Sequence, residues 1–134
     1  MTYKDYEGIK DYLYSEFDSE IVDDFLMMYD IIEDNFEIVI DNLKIDFDSA
    51  INDLFRMMHN FKSATAFLKV DRMNNFAQLV EDILDDMRKK RVVNDKIVDW
   101  LFEVANQLHT WYQDIELNRA LSPINPKVLK LPKV

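Results

Sequence analysis

Apolar side chains return every three or four residues from Tyr6 to Ile115, and the 134-residue chain holds a single glycine. That spacing matches the 3.6 residues of an α-helical turn, so each segment offers one apolar stripe to a core. With one Gly and three Pro, the chain lacks the turn residues that a succession of short strands requires. The expected fold is all-α.

Five stripes can be traced. Tyr6, Ile9, Leu13 and Phe17 mark a short first helix. Ile21, Phe25, Met28, Ile32, Phe36, Val39 and Leu43 mark a long second one, with Ser19 placed to cap it. Ile51, Leu54, Met58, Phe61, Thr65 and Leu68 form a third, starting near Asp48 or Ser49. Met73, Phe76, Val80, Ile83 and Met87 form a fourth that opens at Asp71. Ile97, Leu101, Val104, Leu108, Trp111 and Ile115 form a fifth, capped by Asn94. The connections near 44–47, 69–71 and 90–94 are short, which makes successive helices antiparallel. The spacing predicts an up-down-up-down four-helix bundle over residues 1–121, with an additional short N-terminal helix. Residues 122–134 hold all three Pro and three Lys but no acid, and an extended or disordered Pro-containing tail is expected there.

A formal charge of −10 argues against nucleic acid as a partner, because phosphate backbones are bound by clustered cations. The chain has no Cys, which excludes disulfides and thiolate metal sites. No Glu-x-x-His pair of the kind that builds a dimetal bundle occurs, and one Gly cannot make a glycine-rich nucleotide loop. No resident cofactor or metal is expected. No apolar run approaches a membrane span, and the opening Met-Thr-Tyr-Lys-Asp does not look like a secretion signal. The expectation is a cytoplasmic protein with no membrane partner.

Chemistry concentrates on the third helix. At 100° per residue and with Leu54 as zero, His59 lies at about 140°, on the flank of the buried stripe, with Lys62 one turn beyond it. Ser63 and Ala66 are small and leave the approach open. On the fourth helix Glu81 also falls about 140° from Phe76, and it stands as far from the turn near residue 70 as His59 does. An antiparallel pair would bring the two to one level. A carboxylate accepting from Nδ1–H fixes the tautomer and leaves Nε2 as a nucleophile, while a nearby ammonium offsets phosphoryl charge. His-x-x-Lys alone also describes an ordinary surface histidine, and Glu81 could be one solvated acid among many. His109 lies near the edge of the fifth stripe without a Lys three residues on, and reads as structural or merely exposed.

The run Leu54-Phe55-Arg56-Met57-Met58-His59-Asn60-Phe61-Lys62-Ser63-Ala64-Thr65-Ala66 resembles the Phe-Arg-x-x-His-x-x-Lys-Gly pattern of the histidine phosphotransfer domains. It is most similar to the N-terminal phosphotransfer domain of chemotaxis histidine kinases. The likeness extends through Gln78-Leu79-Val80-Glu81-Asp82-Ile83-Leu84, where that family has a histidine-orienting glutamate. The resemblance implies that His59 accepts phosphate, Lys62 stabilises its charge and Glu81 orients the imidazole. It implies a stand-alone phosphorelay carrier, not an enzyme in its own right, whose partners are a response-regulator receiver domain and/or a histidine kinase, with Mg²⁺ only on the partner. Phe55, Met58, Ser63, Ala66 and Phe67 would form the docking surface. Ser63 and Lys69 stand where the family has Gly, which leaves a second reading: a degenerate adaptor that binds a receiver or kinase without being phosphorylated.

Overall fold

The computed structural model describes residues 2–134. Its elements are α1 (Ile9–Glu16), α2 (Ser19–Asn42), α3 (Phe47–Phe67), α4 (Asp71–Lys90), α5 (Asp95–Glu116) and a single turn, α6 (Pro126–Leu129). Helices α2 to α5 form an antiparallel bundle. Asp30 meets Tyr112 and Glu33 meets His109, so α2 and α5 run in opposite directions. Phe55 lies under Arg88 while Thr65 lies beside Asn74, which sets α3 against α4 in the same way. Phe25 and Tyr29 pack on Phe61, and Phe76 meets the Trp111 ring edge-on at 4.9 Å, which closes the core.

Helix starts follow local chemistry. The Asp46 carboxylate accepts from Ser49 N, and the Asn94 amide oxygen accepts from Ile97 N, each satisfying a donor that the first turn leaves free. Ser19 is the first residue of α2 rather than its cap; Asp18 holds the cap position without a side-chain bond. Helix α1 starts three residues later than its stripe suggests, because Tyr6 is exposed and the chain before Gly8 is committed elsewhere. Tyr3 N donates to Lys69 O, the Tyr3 hydroxyl accepts from Leu121 N, and Tyr12 OH donates to Leu68 O. These bonds lay α1 and its leader across the end of the bundle where α3 turns into α4. The lone glycine serves a close approach there: a Cβ on Gly8 would sit 2.8 Å from Asn118 O.

The C-terminal segment is ordered against the bundle rather than loose. It runs back along α5, with Trp111 Nε1 donating to Ser122 O, Asn125 N to Gln107 Oε1 and Trp100 Nε1 to Val128 O. Val128 is fully buried. Pro126 permits the α6 turn because it stands at the first helical position, where a missing N–H costs nothing.

At the α3–α4 turn, Lys69 takes a left-handed backbone, φ 56°, while Val70 N reaches back to Thr65 O. Glycine adopts that conformation freely and a β-carbon crowds it. Lys69→Gly should therefore stabilise the bundle by about 0.5–1 kcal/mol in denaturant unfolding. An unchanged or lower midpoint would show that the lysine side chain contributes more than its strain costs.

Candidate functional site

His59 stands on α3 with its side chain half exposed, 53%, while Glu81 on α4 keeps only 12% of its side chain accessible. Their placement follows from helix period: Met58 and Phe61 point inward and carry His59 to the edge of the α3–α4 seam, as Val80 does for Glu81. Glu81 Oε2 lies 2.9 Å from His59 Nδ1, and Glu81 Oε1 accepts from Lys62 Nζ at 2.7 Å. One carboxylate thus holds both side chains. Facing a carboxylate oxygen, Nδ1 is the protonated nitrogen, and Nε2 has no protein partner among the described residues.

The seam is fastened one turn away. Asn74 Nδ2 donates to Lys62 O, and Thr65 Oγ1, fully buried, donates to Phe61 O. The Asn74 bond crosses the seam and fixes the height of Lys62 relative to α4. On the other side of the histidine, the Phe55 ring stacks on the imidazole with 6.1 Å between centroids and 12° between planes. Arg88 lies over that same Phe55 ring, 4.1 Å from its centroid, and is itself held by Asp85. The ring of His59 therefore has its plane set by Phe55 and its rotation about χ2 set by Glu81.

Burial alone raises the Glu81 carboxyl pKa, but hydrogen bonds from Lys62 and His59 outweigh it and hold the group below its ordinary 4.5. The Glu81 carboxyl is an anion at neutral pH. A second histidine–carboxylate pair lies across the bundle, where His109 Nδ1 sits 2.8 Å from Glu33 Oε1. There burial dominates and the Glu33 pKa is raised, with Glu37 and Asp34 adding to the effect. No Lys or Arg pairs with Glu33 among the described residues. The two pairs share a geometry and differ in charge: only the His59 pair has an ammonium.

Of the expected contact residues, Phe55 and the exposed Ser63 and Ala66 share the His59 face of α3. Met58 does not belong to that surface. It is fully buried, because it falls on the core stripe between Leu54 and Phe61. Phe67 is exposed but turns toward α2, packing on Phe17 at the other side of α3 from Glu81. Gln78 bonds Asp82 and takes no part in the site. Arg88 was legible only as a cation near a helix carboxyl end; that it lies two turns past Glu81, on the same face of α4, is the signal that places it near His59.

Among the described residues no group of three or more His, Asp or Glu side chains could hold a metal ion, and no helix is long and apolar enough to cross a membrane. No protein-family model matches the chain, and no curated protein or solved structure matches it significantly.

A carboxylate with a depressed folded pKa adds stability above its unfolded value and loses that contribution as pH falls through the folded one. Wild type should be more stable than Glu81→Gln at neutral pH, and the gap should close as the solution is acidified below about 4.5. Urea unfolding at several pH values reads this directly. A gap that stays constant across that range would show that the Glu81 charge is not coupled to Lys62 and His59.

Proposed function

We propose that this chain is a phosphoryl carrier of a histidine-aspartate phosphorelay, with His59 as the acceptor. The observation that carries the reading is a half-exposed imidazole whose Nδ1 is held by an almost buried carboxylate while Nε2 faces outward unpartnered. The Nε2 lone pair attacks phosphorus of a receiver's aspartyl phosphate. The N–P bond forms as the acyl O–P bond breaks, and the aspartate leaves as a carboxylate. The Nδ1 proton stays on the ring, so the phosphorylated imidazole carries positive charge beside Glu81, which stabilises it. The reverse steps return the group to an aspartate of another receiver. Lys62 Nζ, one turn from His59 and bound to Glu81, supplies the positive charge nearest the incoming phosphoryl oxygens.

Such transfer is mostly alignment and charge stabilisation, and the metal and acidic pocket belong to the receiver, or the ATP site to a kinase. Phe55, Ser63 and Ala66 form the adjoining contact surface on α3, with no bulky side chain at 63 or 66 to block a partner. This role places the protein in the cytoplasm with those partners. One observation favours the adaptor reading instead: Lys62 is engaged with Glu81 and does not project freely toward Nε2.

Incubation with a phosphorylated receiver domain should give acid-labile, base-stable phosphate on the wild type and none on His59→Gln. Label that persists in His59→Gln would move the site elsewhere, and no label on wild type would leave the adaptor. Lys62→Ala should slow transfer about tenfold or more while keeping the helical circular dichroism; an unchanged rate would remove its role.

A further inference from the structure

Helix α2 is apolar on two sides. Its core side carries Val22, Phe25, Tyr29, Ile32, Phe36 and Ile40. On the opposite side Met27, Ile31 and Ile38 are exposed by 64, 59 and 64%. At 100° per residue these three fall within about 40° of one another and make a stripe about 16 Å long, three turns of helix. Toward α3, Ile31 lines a shallow groove of about 370 Å³ with Val39, Met57 and the Arg56–Asp53 pair. Nearer the start of α2, a second groove of about 250 Å³ is formed by Ile21, Met28 and Phe67, with Asp24 at its edge. Met27, Ile31 and Ile38 are not part of the core, and an exposed apolar strip of this kind marks an interaction surface.

Charge decides what covers it. Ser19–Asn42 contains eight Asp and Glu and no Lys or Arg. None of those eight acids pairs with a Lys or Arg among the described residues; the partners they do have are Tyr14, Tyr112 and His109. Glu20, Asp24 and Asp34 lie beside the apolar stripe on the outward face. A second copy of the chain would set the same unpaired acids against each other along α2. An anionic lipid surface would be repelled in the same way.

We infer that the outward face of α2 docks a basic amphipathic helix of a partner protein. Its apolar residues at one-turn spacing would cover Met27, Ile31 and Ile38, and its Lys and Arg would meet the acids that flank them. This surface lies on the α2 side of α3, away from the α4 seam that holds His59. A partner could thus be held here while the histidine stays open, and the inference stands whether or not His59 is phosphorylated.

The test uses the full chain, isotope-labelled for amide spectra, and a synthetic 14-residue Lys/Leu peptide with helical amphipathic order. A scrambled peptide of equal composition is the control. The expected result is amide shifts concentrated between Ile21 and Ile38, with at least tenfold weaker binding of the scrambled peptide. Ile31→Asp should weaken the ordered peptide at least tenfold, even though it adds attraction for lysine; Ile31 is exposed, and circular dichroism checks that the variant folds. Equal binding of both peptides, shifts centred on another face, or a dimer in sedimentation that Ile31→Asp abolishes would each overturn the proposal.

Discussion

A single carboxylate on α4 ties down two side chains of α3, and the organisation of the candidate site follows from it. Glu81 is nearly buried and ionised, which is tolerable only because Lys62 and His59 both donate to it. The bundle core supplies the geometry: Met58 and Phe61 below α3 and Val80 and Leu84 below α4 fix how far the two helices stand apart. The site is therefore rigid through packing rather than through loops. A ring held on one edge by a carboxylate and on one face by Phe55 has little freedom left, and its outward nitrogen points at solvent by default.

The surroundings of the two histidines show why charge, not proximity of an acid, separates them. His109 with Glu33 repeats the bond length of His59 with Glu81 within 0.1 Å. Burial, with Glu37 and Asp34 adding to it, outweighs the His109 contact and pushes the Glu33 carboxyl toward its neutral form, whereas Lys62 and His59 keep Glu81 charged. An anionic group approaching His109 would meet α2, which has no cation along its length. An anionic group approaching His59 meets Lys62 on one side and the Arg88–Phe55 stack on the other.

Much of this was legible in the residues. The apolar period placed α2 to α5 and their direction, and angular position alone put His59 and Glu81 on the flanks of their stripes. Several features were not legible, for identifiable reasons. Helix α1 is shorter than its stripe because Tyr3 in the leader spends its hydrogen bonds on the turn at Lys69 and on Leu121 after α5. The tail was read from proline content, which rules out a long helix but says nothing of Trp100 and Trp111 indole donors waiting for carbonyl partners. Met58 was assigned to both core and surface, and a side chain fully inside the core can serve only one. Lys69 was legible as a polar residue at a turn but not as one in the left-handed conformation that glycine adopts most freely.

The most direct measurement is the tautomer of the neutral His59 ring, read from long-range proton–nitrogen correlations of the imidazole. The Glu81 contact predicts the proton on Nδ1 and a bare lone pair on Nε2. A ring with its proton on Nε2 would contradict the account, because that nitrogen could not attack phosphorus and Glu81 could not be the group that orients it.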